Sequence, residues 1–356
     1  MPGKGERAYV YAKAAGKVGK SFIGKKVSPL ESVSRLSELD RLIFPSSFRD
    51  LPEKELLVNL EDRIIGRAVD SIIPIIDSFS KPPEFLILLL RSYEYTDLKN
   101  AITAALEGAK TAPPHTDIGR FQTVHFDAWP DIPAMIKRTE FGFLLDEKGL
   151  VRSQLGGVSL QAALDRYYYS ALWLSLSSLS RNDRFAAEKI LSTEISLKNA
   201  SWALRLRTYY RKSLEDVKLH LIDRPLDIVT AEISKPNLNL RLRSRSRPLA
   251  RDAIQSLEFP LDNYAAWSSW RWKRFLNPET GGGVWTVNPR YFQNAASQYL
   301  FRLAKRYFRS QPFLLSTIFC YIKLKQFEED ILTSSAEGLG MGMTGKDIIT
   351  SLGLET

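Results

Sequence analysis

One cysteine, three histidines and four methionines leave this chain little of the usual equipment for metal or redox chemistry. Cys320 lies inside the apolar run "LLSTIFCYI". Without a second cysteine there is no internal disulfide and no thiolate metal cluster, which points to a reducing, cytosolic compartment. His115, His125 and His220 are far apart and lack the spacing of a zinc site. Long apolar runs are missing as well. The longest uncharged stretches, 167–180 and 310–322, fall short of the ~18–20 residues a membrane-spanning helix needs. The first twenty residues hold Glu6, one arginine and no continuous apolar segment, so neither a secretory signal nor a transit peptide is predicted. No Ser-His-Asp or Cys-His constellation is visible, and nothing in the composition demands an enzyme or a cofactor.

What the chain does have is bulk and positive charge. Its 356 residues suffice for two or three domains. With 44% hydrophobic and 25% charged residues, the balance is that of a folded globular protein and excludes a disordered one. Lys and Arg number 50 against 40 Asp and Glu, a net charge of +10, which favours acidic partners such as nucleic acid, anionic lipid or an acidic protein surface.

The chain also repeats itself. "EYTDLKNA" at 94–101 returns as "EISLKNA" at 194–200. A second landmark precedes each: Phe44 before Pro45 in "DRLIFPSSF", and Phe141 before Gly142 in "KRTEFGFLL". Phe44 to Leu98 spans 54 residues and Phe141 to Leu197 spans 56. A third copy follows, with Phe259 before Pro260 and "YIKLKQF" carrying Leu324, 65 residues later. The longer third spacing contains "NPETGGGVW", a loop insertion. One unit is thus written three times.

Each copy reads as a pair of substantial helices. Leu86, Leu89, Leu90 and Tyr93 fall on one helix face in the first copy, and Leu315, Ile318, Phe319 and Ile322 do so in the third. In the second, Ala187, Ile190 and Leu191 start the pattern and Glu194 interrupts it. Strand evidence is confined to "LNLRLRSRSR" at 238–247. The prediction is an all-α protein of three similar helical lobes, 1–110, 111–222 and 223–356 with a closing C-terminal segment.

Two motifs suggest other functions. "AAGKVGKS", 14–21, imitates a phosphate loop in which Lys20 and Ser21 would hold phosphate and magnesium, making the chain a nucleotide hydrolase. That chemistry needs a buried strand before the loop, and "RAYVYAKA" is a poor one. "RLRSRSRPLAR", with Arg241, Arg243, Arg245, Arg247 and Arg251, followed by Trp267, Trp270 and Trp272 among further cations, suggests a basic helical nucleic-acid binder. A solvated linker is the plainer reading of the arginine run.

"RSYEYTDLKNAI", 91–102, resembles the R-x-Y-[DE]-Y-x-N-L-K helix of a central-stalk component of rotary V-type and A-type ATPases, the C type in archaea and bacteria and the d type in eukaryotes. Asp97 stands where that family commonly has asparagine. "AYVYAKA", 8–14, is similar to its A-Y-V-x-A-R-x segment with Lys13 for arginine, and "STEISLKNA" to its D-I-x-N-I motif with Ser196 in place of the acid. "YIKLKQFEEDI" and "GLGMGMTGKDIITSLG" resemble its ending, so the likeness runs nearly end to end. The resemblance implies a funnel-shaped, pseudo-threefold all-α body on the cytoplasmic face of the membrane, without a catalytic site, cofactor or metal. It implies contact with the proteolipid (c/K) ring and with the central axle proteins of D and F type, near the membrane component of a/I type. It implies neither a small-molecule substrate nor nucleic acid as partner. The motif residues singled out as candidates for partner contact are Tyr93, Glu94, Asp97, Lys99, Asn199 and Lys325.

Overall fold

Helices account for most of the fold, as the periodicity predicts. A computed structural model describes residues 2–155, 158–223, 243–244, 247–279 and 284–354. The only strands among them are two short antiparallel hairpins, Gln154–Leu155 with Val158–Ser159 and Arg243–Ser244 with Arg247–Pro248. The second overlaps the end of the one stretch that reads as strand in the sequence, 238–247, and reaches one residue beyond it. Arg241 and Arg245 of the arginine run lie outside the described residues, as do the side chains of Arg243 and Arg247 and the three glycines 281–283.

Numbered along the chain, the helices are α1 (Lys4–Val18), α2 (Ser28–Glu31), α3 (Leu36–Ile43), α4 (Glu53–Ile76), α5 (Glu84–Leu90), α6 (Ser92–Leu106), α7 (Ile132–Met135), α8 (Leu160–Ser175), α9 (Arg181–Thr208), α10 (Leu214–His220), α11 (Arg251–Ser256), α12 (Pro289–Ser310), α13 (Leu315–Gly340) and α14 (Gly345–Ser351). After each phenylalanine landmark comes a helical pair: α4 with α5–α6, α8 with α9, and α12 with α13. In every case the second member carries the repeated Leu-Lys stretch.

The chain divides into two compact units. Unit 1 comprises Met1–Leu90, Thr116–Ile118 and Phe301–Thr356; unit 2 comprises Arg91–His115 and Gly119–Leu300. In unit 1, α4 and α13 pack against each other, with α1 and α3 beside them. Leu56, Leu60, Ile64, Ala68, Ile72 and Ile75 recur every three or four residues along α4, forming one buried stripe. One core cluster of this unit is aliphatic, built mainly from Leu and Ile of α3, α4 and α13 with Val27, Leu30 and Val33 before them. α14 closes it against α2: Gly345 donates its N–H to the Val33 carbonyl at 3.0 Å. A Cβ at Gly345 would lie 2.0 Å from the Leu30 oxygen, so only glycine fits. In unit 2, α9 packs against α11 and α10, and α6 against α8. Part of its core is aromatic, where Trp267, Trp270, Trp272, Trp285, Phe275 and Phe292 cluster with Leu197 and Leu204 of α9.

Two local expectations are corrected. The face Leu86–Tyr93 is divided between α5 and α6, with an interruption at Arg91, whose side chain turns aside into an ion-pair network. Glu194 does not interrupt α9, which runs unbroken for 28 residues. Glu194 is buried because the Tyr169 hydroxyl donates to its carboxylate at 3.2 Å, supplying the hydrogen bond that burial demands.

Candidate functional site

The repeated helices carry polar side chains on their buried faces, and each copy satisfies them differently. In the first copy, Tyr93, Glu94 and Asp97 of α6 are all buried. The Glu94 carboxylate accepts N–H bonds from Val124 (2.7 Å) and Thr123, and a hydroxyl bond from Thr123 (3.1 Å). Arg91 donates to it at 2.8 Å and to Glu140 at 2.6 Å. A carboxylate held by two backbone amides and a guanidinium ties the 119–124 loop to the helix. Burial disfavours the Arg91 cation, but the Glu140 and Glu94 carboxylates outweigh it and push its pKa above the ordinary value.

Lys99, five residues beyond Glu94, donates to Asp165 of α8 at 2.7 Å. Its counterpart in the second copy, Lys198, stands 3.9 Å from the same Asp165 oxygen, with its ammonium also over the rings of Tyr169 and Trp202 at 5.0 and 5.1 Å. Two copies of the motif therefore share one acid. The next residue, Asn199, is fully buried and grips Ile222 by both backbone groups: its amide N–H donates to the Ile222 carbonyl (3.1 Å), and its oxygen accepts the Ile222 N–H (2.8 Å). This fixes the chain where it leaves α10.

Ser196 lacks the acid seen in the resembling motif, and the structure supplies one from elsewhere. Its hydroxyl donates at 2.9 Å to buried Asp252 of α11, which also receives Arg271 at 3.3 Å. The indole of Trp272 donates to Ser196 (3.4 Å), and that of Trp270 to the Asp252 carbonyl (2.7 Å). Sequence reasoning missed Asp252, 56 residues from its partner, because no local spacing signals it.

In the third copy Lys325 is buried, donating to Glu328 at 2.5 Å and to the Ser21 hydroxyl at 2.9 Å. The other Glu328 oxygen accepts from Arg67 of α4 (3.1 Å) and from the Phe22 N–H (2.8 Å). Burial pulls the Lys325 pKa down against the pull of Glu328. Burial alone would raise the Glu328 carboxyl, but Lys325 and Arg67 overcome it and hold it below its ordinary value.

The same network resolves the phosphate-loop motif. Residues 14–18 belong to α1, no strand precedes them, Lys20 is exposed, and Ser21 is committed to Lys325. Lys13, at the position of the family arginine, donates to the Pro74 carbonyl (2.9 Å) and the Ser78 hydroxyl (3.0 Å). The tryptophans offer no stacking platform. Trp267, Trp270 and Trp272 are buried, with their indole N–H groups bonded inside the unit. Chemically, Glu94, Lys99, Asn199 and Lys325 act inside the fold, holding helices and loops in register through ion pairs and hydrogen bonds.

Comparison with known proteins fits this helical arrangement. The model of the family described as ATP synthase (C/AC39) subunit matches residues 49–234, just over half the chain. The chain belongs to that family. It is accordingly a subunit of a V/A-type ATPase, and nucleotide hydrolysis or nucleic-acid binding is not favoured. The match takes in the first two landmark-to-motif stretches from α4 onward, including Glu94, Lys99, Asp165 and Asn199. A relative of similar length is an uncharacterized protein of Treponema pallidum (strain Nichols), 26% identical over 334 residues, covering 94% of this chain and 92% of that one.

Proposed function

We propose that this ATPase subunit is the socket of the rotor, joining the membrane proteolipid (c/K) ring to the central axle of D- and F-type proteins and performing no chemistry itself. It sits peripherally on the cytoplasmic face, beside the a/I-type membrane component. It turns with ring and axle while proton or sodium transport is linked to ATP hydrolysis or synthesis. The observation that carries this reading is the family match over 49–234, extended by the motif resemblance to both ends of the chain. Two further facts support it. Each phenylalanine landmark is followed by a long helical pair, which suits three lobes, 1–110, 111–222 and 223–356, around a pseudo-threefold axis. No helix among the described residues is long and apolar enough to cross a membrane. In this reading Tyr93, Glu94, Asp97, Lys99, Asn199 and Lys325 serve partner contact indirectly, by stiffening the helices that meet the ring and axle. A body packed to crystal-like density transmits torque with little internal give.

The test uses membranes lacking this subunit, given back wild type or Leu98→Pro. Leu98 is buried mid-helix in α6. Proline there removes a helix hydrogen bond and clashes with the preceding turn, costing roughly 3 kcal/mol or more. ATP-driven ion pumping is expected to return with wild type and to fail with the variant, while ATP hydrolysis by the released head continues. Pumping that proceeds in an intact complex without the subunit would refute the socket.

A further inference from the structure

The end of α9 carries an exposed surface whose composition matches no internal role. Tyr209 and Tyr210 are 57% and 63% exposed, and Leu214 and Leu219 are 47% and 45% exposed. Four large apolar side chains thus face solvent within eleven residues. Cations accompany them. Arg205, Arg211 and Lys212 are exposed and form no ion pair among the described residues. Arg207, by contrast, turns inward to the carbonyls of Ser256 (2.7 Å) and Phe259 (3.0 Å).

No acid occurs between 205 and 214, and the first acids beyond are engaged. Glu215 pairs with Lys218 at 2.7 Å, and Asp216 accepts from the Ser213 hydroxyl at 2.8 Å. The backbone adds an independent sign. Arg211 has φ +49°, the left-handed position that closes a helix end, and the Lys212 N–H bonds back to the Leu206 carbonyl at 3.1 Å. Glycine adopts that conformation without strain, yet the chain keeps an arginine there with its side chain in solvent.

We propose that this surface, Tyr209–Leu214 with Arg205, is a docking site for an anionic lipid surface. Tyrosine rings beside unpaired arginine and lysine are the residue set of a membrane interface: the rings seat at headgroup level and the cations meet phosphate. An acidic protein patch matched by charge alone would use the cations but needs neither of the two neighbouring exposed tyrosines nor Leu214. The site extends the peripheral placement of the subunit, and its test does not need the assembled machine.

The experiment is co-sedimentation of the purified full chain with phosphatidylcholine vesicles, with and without phosphatidylglycerol, over a range of salt concentrations. Binding is expected only to the anionic vesicles, weakening as salt rises. Arg211→Ala with Lys212→Ala should weaken it roughly thirtyfold. Tyr209→Ser with Tyr210→Ser should weaken it severalfold at every salt concentration. Circular dichroism melts of both variants, whose changed side chains are exposed, check that the fold is kept. Failure to bind anionic vesicles overturns the proposal. So does binding that depends on the cations but not on the tyrosines, which points instead to an acidic protein surface. A dimer in light scattering that either variant dissolves overturns it too, since a second copy would then cover the patch.

Discussion

The motif lysines of the two units find their counter-charges in opposite ways. In unit 1, Lys325 takes Glu328 three residues along its own helix, and both are buried. In unit 2, Lys99 and Lys198 reach from different helices to one aspartate, Asp165, and all three keep contact with solvent. The first arrangement is local in sequence and dry; the second is non-local and partly screened. A dry pair is costly to halve, because the orphaned charge has lost its water, whereas a wet pair can be replaced by water at little cost. Equivalent lysines in a repeated motif are therefore not energetically equivalent.

Lys325→Met should show this most sharply. Removing one member of the buried pair leaves Glu328 with Arg67 and the Phe22 N–H, and the expected loss is about 3–5 kcal/mol in chemical denaturation. The double variant Lys325→Met with Glu328→Leu should lose less than the single one. A double variant no better than the single would place the cost in packing, not in charge. Acid offers a gentler probe of the same pair. The Glu328 carboxyl is held below its ordinary value of 4.5, so its contribution is complete above about pH 4.5 and fades as pH falls through the lowered value. The stability gap between wild type and Glu328→Gln should accordingly narrow on acidification, as read from urea midpoints across that window. Asp165→Asn, which strips the acid from both lysines of unit 2, should cost only about 1 kcal/mol. A larger loss would mean that the shared aspartate is drier than its exposure indicates. Smallest of all, Lys20→Ala should stay within about 0.5 kcal/mol, since this lysine is solvated. Micromolar ATP binding that the substitution abolishes would reopen the phosphate-loop reading.

The helix α13 was legible because Leu315, Ile318, Phe319 and Ile322 repeat every three or four residues, a purely local signal. The six motif residues were legible as a motif but not as internal supports. For three of them the partner lies far along the chain: Asp165 for Lys99, Ile222 for Asn199, and the 123–124 amides for Glu94. Glu194 misled for the same reason. A polar residue in an apolar stripe looks like a break until Tyr169, 25 residues earlier, is seen to bond it. The interleaved tryptophans and arginines of 267–274 suggested an exposed binding strip. In the structure each indole N–H of Trp267, Trp270 and Trp272 finds an oxygen inside the unit, and Arg271 covers Trp272 from outside, its guanidinium 4.3 Å from the ring centroid. Alternation along a chain does not reveal which side of it faces water.

The closure of α14 on α2 has a consequence in time. Unit 1 is assembled from the two ends of the chain, and residues 91–300 of unit 2 are synthesised between them, apart from the short 116–118 segment. At about 5–20 residues per second, roughly 10–40 s separate the first part of unit 1 from the arrival of α13 and α14. By the end of that interval unit 2 has nearly its whole sequence and can condense, while the face of α4 that α13 covers still lacks its partner. A nascent chain stalled near residue 300 is the form most exposed to chaperones and to aggregation, and the arrival of α13 and α14 is the event that hides it.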